Sequence, residues 1–245
     1  MIKKDTIYVM FYLKELFPNP ETELNYSTPF QLVVAVMLSA QATDLQVNKV
    51  TDKLFKKIKK PEDLLAMGFE KFERSIKSIN YYHTKAKHIY ETALLLKQKK
   101  HIPDTLKELM NMPGIGVKTA KVILHVLYNK PYIAVDTHVY RVSHRLWLVK
   151  SPILKSSTLK GTPSFKIKEV YAISPEKTSE LLEKVIPDTY KDHAHHSLVL
   201  FWRYYCLARN PKCKSCKLQK ICKFYKNTSS PFQGENKKKG FTSKV

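Results

Sequence analysis

Four cysteines constrain this chain more than any other feature. They stand as Cys206-x6-Cys213-x2-Cys216-x5-Cys222, and the sequence holds no others. Whether such thiols pair as disulfides or bind a metal depends on the compartment. The first apolar patch, Ile7 to Leu13, is short, lacks a small-x-small cleavage site and runs straight into Lys14 and Glu15. It reads as an amphipathic helix rather than a signal peptide. A cytoplasmic location is therefore expected, where disulfides are disfavoured, and the cluster points to a metal. Tetrahedral thiolates suit either zinc or an iron–sulfur cluster. Zinc knuckles usually join two close Cys pairs, whereas only one pair is close here. The long outer arms favour a cubane cluster; zinc and a disulfide pair remain alternatives. Arg209, Lys212, Lys214, Lys217, Lys220 and Lys223 surround the thiolates. They would balance an anionic cluster, meet a phosphate backbone, or do both.

Charge points toward the same kind of partner. The formal net charge is +22, from 43 basic and 21 acidic side chains. Such an excess repels itself in a compact state, and a polyanion relieves it. A membrane surface, or a composition simply rich in Lys, would leave the same signature. A membrane span is not expected. Residues 24–43 lack charge, but Asn25, Ser27, Thr28, Gln31 and Gln41 make them too polar for hydrocarbon.

The apolar pattern is helical. Phe30, Val33, Val34, Met37 and Leu38 share a face, as do Ala86, Ile89, Tyr90, Ala93 and Leu94, and Ala120, Ile123, Leu124 and Leu127. Only Pro131 to Val135 looks extended, and it is too isolated for a sheet. An all-α fold is expected. Ser27-Thr28-Pro29 and Ser174-Pro175-Glu176 mark helix starts, with Pro in the first turn. Residues 149–172 read as a basic insertion and residues 226–245 as a disordered basic tail.

Two glycines close a turn in Met112-Pro113-Gly114-Ile115-Gly116. A Gly-x-Gly between helices lets backbone amides approach a phosphate at the next helix's positive end. Lys118 follows at once, and Asp136 lies further on in Val135-Asp136-Thr137-His138. Taken locally, Asp136 is a helix N-cap and Lys118 an exposed helix lysine.

Together these motifs resemble the helix-hairpin-helix DNA glycosylases, and within them the endonuclease III group. The match includes Glu23-Leu24-Asn25-Tyr26, Leu38-Ser39-Ala40-Gln41-Ala42-Thr43-Asp44, the Gly114 to Lys118 turn and Ile133 to His138. It ends with Pro187, His195-His196 and the four cysteines. The resemblance implies two all-α domains flanking a DNA cleft. One is a six-helix barrel over 23–132. The other joins 1–22 to 133–225 and carries a [4Fe–4S] cluster on Cys206, Cys213, Cys216 and Cys222. A base-excision glycosylase with AP-lyase activity on oxidised pyrimidines in duplex DNA is expected, as a monomer. Lys118 would attack the sugar C1′ of a flipped nucleotide, and Asp136 would assist. The attacking amine must be unprotonated, which burial or nearby cations favour; Lys121 is a candidate neighbour. Gln41 and Tyr81 would contact the opened duplex; Gly114, Gly116, Lys121, Arg209 and Lys212 would also contact DNA.

Several residues depart from that pattern. The Tyr81 loop reads Ile79-Asn80-Tyr81-Tyr82, where related chains usually have Gly then Leu or Phe. Asn80 is the residue expected to replace the glycine's left-handed backbone. Trp202 stands at a common Gly, and Val117 at a commonly basic site. His193, His195 and His196 are read as structural rather than metal-binding. An adenine-mismatch glycosylase is the nearest alternative, but it lacks the lysine. A non-catalytic DNA-binding metalloprotein is the other, against which Lys118 and Asp136 stand together.

Overall fold

A computed structural model describes residues 3–151, 153–154, 170–171 and 173–228. Among the described residues the regular structure is helical apart from one ribbon of two two-residue strands. The helices are α1 (Lys3–Leu16), α2 (Pro29–Ser39), α3 (Asp44–Leu54), α4 (Pro61–Met67), α5 (Phe69–Ser75) and α6 (Tyr82–Lys99). They continue with α7 (Leu106–Met110), α8 (Val117–Tyr128), α9 (Thr137–Arg145), α10 (Pro175–Val185), α11 (Asp188–Tyr204) and α12 (Lys223–Thr228). Both expected starts are capped. Thr28 accepts the Gln31 amide before α2, and Ser174 accepts the Lys177 amide before α10.

The buried side chains form two separate clusters. One is drawn from residues 24–124, from Leu24 to Leu124. The other joins Val9, Met10, Tyr12 and Leu13 of α1 to residues between Ile133 and Cys222. Helix α2 lies inside the first. Every residue from Phe30 to Leu38 is buried, so the one-sided pattern read from sequence is in fact a helix covered all round. On α6 the pattern also shifts. Ala86, Ile89 and Ala93 are buried, but Leu94 is 44% exposed while Thr92 and Leu96 face inward.

The segment Pro131 to Val135 belongs to no helix or sheet, and its start is tightened by a bond from the Tyr132 amide to the Lys130 carbonyl at 2.7 Å. Its polar groups are met by α10 instead. Glu183 accepts the Ile133 amide at 3.0 Å, and Ser179 donates to the Ile133 carbonyl at 2.7 Å. The basic insertion is pinned at its base, where Ile153 pairs with Tyr171 and Leu154 with Val170, antiparallel. Residues 149–151 are also described, with Val149 buried, whereas residues 152, 155–169 and 172 of the insertion lie outside the described residues. So do residues 229–245 of the expected tail, whereas 226–228 complete α12.

Candidate active site

Helix α8 begins immediately after the glycine turn. Gly114 has φ +74°, and a Cβ there would stand 2.7 Å from the His88 Cβ. Only glycine fits. The Gly116 backbone is extended and its Cβ position is open, so Gly116 is not demanded by conformation. It is the side-chain-free N-cap of α8, which leaves the first amides of that helix uncovered by its cap. Thr92 donates to the Pro113 carbonyl at 3.0 Å and fastens the turn to α6.

Lys118 sits in the first turn of α8, with 56% of its side chain exposed. Its Nζ is 3.7 Å from Asp136 Oδ2. Asp136 caps α9, and its Oδ1 accepts the His138 and Val139 amides at 2.9 and 2.8 Å. The local reading and the chemical one therefore hold at once. One carboxylate oxygen fixes the helix start, and that anchorage aims the other at Lys118.

Two further helices, α3 and α11, reach the pair. Asp44, first residue of α3, is half-buried; burial pushes its carboxyl pKa up and Asp136 adds to this, while Lys118 opposes it. Arg203 of α11 donates to Asp44 Oδ2 at 3.0 Å and is ion-paired to Glu23. Tyr204 also donates to Glu23, at 2.8 Å. Trp202 finds room by stacking flat on His138, with ring centroids 3.4 Å apart and an interplanar angle of 17°. His138 has its pKa lowered by burial, against the pull of Asp136. The His138 Nδ1 and Trp202 Nε1 atoms are buried without a hydrogen-bond partner among the described residues. Glu23 and Asp44 stand in motifs matched from the sequence and Arg203 directly follows Trp202, but the sequence alone assigned none of the three a role. The available signal was their charge beside two matched motifs.

Lys121 does not join this cleft. It is 7% exposed, and its Nζ donates to Ser179 at 2.6 Å and Glu183 at 2.8 Å. The ammonium expected at DNA is instead held inside the protein, tying α8 to α10. Its expected help to Lys118 is likewise replaced by a partnership with Glu183.

Gln41 and Tyr81 are both exposed and both left-handed, at φ 56° and 59°. The left-handed residue of the second loop is thus Tyr81, not Asn80 as expected. Arg209 and Lys212 are exposed on the loop that carries the cysteines. His195 and His196 are buried beside His125, with centroids of His125 6.0 and 5.3 Å away. His193 pairs with Asp192 at 3.2 Å. These are packing and surface contacts, as expected for structural histidines.

The four cysteines are free and line one cavity together with Leu146, Phe201 and Tyr205. Burial pushes the Cys222 thiol up to about 11 and raises Cys206 and Cys216; other cysteines of the cluster add to each shift. Burial thus disfavours the thiolate form of these three, and a cation bound among them would offset that. Among the described residues no three His, Cys, Asp or Glu side chains are gathered to chelate a single ion. Arg145 donates to the Cys206 carbonyl at 3.3 Å, to Cys206 Sγ at 3.5 Å and to the Leu207 carbonyl at 2.8 Å, and stacks on Phe224. No helix among the described residues is long and apolar enough to cross a membrane.

Comparison with known proteins agrees with this geometry. Residues 34–161 match the family model of the HhH-GPD superfamily base excision DNA repair proteins. The chain is 42% identical to the endonuclease III of Bacillus subtilis (strain 168) over 211 residues, covering 85% of this chain and 87% of that one. It is 37% identical to that of Escherichia coli (strain K12) over 226 residues, covering 91% and 97%. A solved trapped endonuclease III–DNA covalent intermediate superposes with a TM-score of 0.79 at 36% identity, covering 93% of this chain and 99% of that one. The chain belongs to the endonuclease III group of the HhH-GPD superfamily of base excision DNA repair proteins.

Proposed function

We propose that this protein is a base-excision DNA glycosylase with AP-lyase activity, acting through Lys118 and Asp136 on oxidised pyrimidines in duplex DNA. The observation that carries the reading is the 3.7 Å approach of Lys118 Nζ to an Asp136 oxygen that the helix cap leaves free. A structural relative that was trapped as a covalent intermediate with DNA supports a covalent route.

The damaged nucleotide leaves the stack to reach the two residues. Asp136 takes a proton from the Lys118 ammonium, leaving a neutral amine, and faces the positive charge that develops on the sugar. The amine forms a bond to C1′ as the bond to the base breaks, and the base departs with the electron pair and a proton. Ring opening gives a Schiff base. Loss of a C2′ proton then expels the 3′ phosphate oxygen, which nicks the strand, and water releases Lys118. An alcohol or water nucleophile forms no such Schiff base, so the lysine is what couples excision to strand cleavage.

Other roles follow from position. Gln41 and Tyr81 enter the opened duplex, and Tyr81 offers a ring on which a base stacks. Gly114 and Gly116 admit a phosphate to the start of α8, and Arg209 and Lys212 meet the backbone from the cysteine loop. Residues 23–132 and residues 1–22 with 133–225 act as two domains, a division supported by the two buried clusters. The protein works in the cytoplasm, as a monomer. Cys206, Cys213, Cys216 and Cys222 hold a [4Fe–4S] cluster. Four thiols lining one cavity supply the donor set of such a cluster. The cluster supplies architecture and charge to the basic loop.

Borohydride trapping tests the reaction. Wild-type protein should form a covalent adduct with DNA containing thymine glycol or an abasic site, and Lys118→Gln should form none. An adduct in the Lys118→Gln variant would remove Lys118 as the nucleophile. Absence of one in wild type would end the lyase reading.

A further inference from the structure

We propose that Asn80 is a positioning residue that ties the Gln41 turn to the Tyr81 turn, so that the two meet DNA as one preset wedge. The inference rests on the reading that Gln41 and Tyr81 enter the duplex. It adds a residue for which the related chains' usual glycine has no side chain.

The two turns are built from different helices, 40 positions apart in sequence. Each ends in an exposed residue held in a left-handed backbone, Gln41 at φ 56° and Tyr81 at φ 59°. Non-glycine residues occupy that region only when their surroundings impose it. The surroundings are visible for both. On the first turn, Ala42 N–H bonds the Ser39 carbonyl at 3.1 Å, and Lys85 Nζ takes the Leu38 and Ala40 carbonyls at 2.8 and 2.6 Å. Lys85 belongs to α6, the helix that Tyr81 begins. On the second turn, Ile79 is 3% exposed and its amide bonds the Ile76 carbonyl at 2.9 Å. Between the turns, Asn80 Nδ2 donates to the Gln41 carbonyl at 3.1 Å. The acceptor is a carbonyl, so it is the amide nitrogen of Asn80 that must face it.

The consequence is mechanical. Lys85 sets where the end of α2 lies relative to α6, and Asn80 sets the orientation of the Gln41 peptide itself. With that peptide held, Gln41 and the 67% exposed Tyr81 ring keep a fixed separation before DNA arrives. Ordering two independent turns at the moment of binding would cost entropy that this brace removes beforehand. The chemistry at Lys118 and Asp136 lies on α8 and α9 and does not pass through Asn80.

The test measures base flipping apart from chemistry. A duplex carries 2-aminopurine opposite a tetrahydrofuran abasic analogue, and stopped-flow fluorescence follows the opening step. Gln41→Ala and Tyr81→Ala should each slow that step, which checks the underlying reading. Asn80→Asp keeps the shape but turns an acceptor toward the Gln41 carbonyl. It should slow opening about 5- to 10-fold, the loss expected of one hydrogen bond. Asn80→Gln, which keeps the donor, should recover part of the rate. In the Tyr81→Ala background, Asn80→Asp should add little, because there is no second prong left to register. The urea midpoint of the Asn80 variants should stay at the wild-type value. If Gln41→Ala and Tyr81→Ala slow opening while Asn80→Asp does not, the brace is refuted and the wedge survives. If neither prong variant slows opening, the wedge reading fails and the brace with it. A slowing that tracks lost stability, with Asn80→Gln no better than Asn80→Asp, also overturns the proposal.

Discussion

Lys118 and Lys121 are one helical turn apart, and truncating each should have opposite consequences. In Lys121→Ala the loss is structural. The ammonium is removed from between Ser179 and Glu183, at 2.6 and 2.8 Å, in a place where the Lys side chain is only 9% exposed. Glu183 is left with the Ile133 amide at 3.0 Å, the Ser179 hydroxyl at 3.2 Å and 22% of its side chain in reach of water. Removing one partner of a buried ion pair costs about 3–5 kcal/mol, and the retained amide and partial solvation place this site at the low end, about 3 kcal/mol. For an m-value of about 3 kcal/mol/M, the urea midpoint should fall by about 1 M. Lys118→Ala removes a 56% exposed side chain with a 3.7 Å ion pair, and should move stability by no more than about 0.5 kcal/mol. It should nevertheless abolish borohydride trapping. Equilibrium urea unfolding of both variants, read beside the trapping assay, decides the matter. A Lys121→Ala protein of wild-type stability but weakened DNA binding would refute the reasoning and return Lys121 to the interface.

Acid should destabilise the protein well before its carboxylates titrate. Burial lowers His144 to about 4, His195 to about 3 and His196 to about 2. The unfolded chain binds protons at these sites from pH 6.5 downward while the folded one does not, so stability is full above that pH and lost as pH falls toward 4. Each histidine contributes at most about 1.4 kcal/mol per pH unit, and a urea midpoint that stays level from pH 7 to 5 would contradict this. Gly114→Ala must place a Cβ 2.7 Å from His88 at φ +74°, and should cost about 2–3 kcal/mol and much of the DNA affinity, whereas Gly116→Ala should cost under about 1 kcal/mol. Unfolding and DNA titration of the two variants would expose the difference, and equal effects would count against it. Cys206→Ser should lose the yellow-brown absorbance near 400 nm expected of the wild-type cluster; a colourless, zinc-loaded wild type would overturn the iron assignment.

Much of the frame could be read from residues alone, and the reasons are local. Thr28 and Ser174 announce their helices because a cap acts within three residues. Asp136 was legible as a cap for the same reason, although only the fold brings Lys118 to it. The readings that shifted are those decided by distant chain. Leu94 follows the helical period but no neighbour arrives to cover it. Lys121 has the same local character as Lys118, and its burial depends on Ser179 and Glu183, more than fifty residues away. Asn80 was the natural residue for a left-handed turn, yet its amide is engaged by Gln41 and the turn passes to Tyr81. Trp202 resembled a misfit until His138 supplied the surface against which it lies.

The second buried cluster has a consequence for how the chain is made. Val9, Met10, Tyr12 and Leu13 of α1 leave the ribosome long before Ala194, Leu198 and Phe201 of α11, with which they pack. At about 5–20 residues per second, roughly ten to forty seconds separate the two. The first cluster, complete by Leu124, can consolidate during that interval. Helix α1 cannot, and it waits with its apolar face uncovered while the rest is synthesised. The nascent protein therefore carries the apolar face of α1 uncovered, open to aggregation or to a chaperone, until α11 emerges.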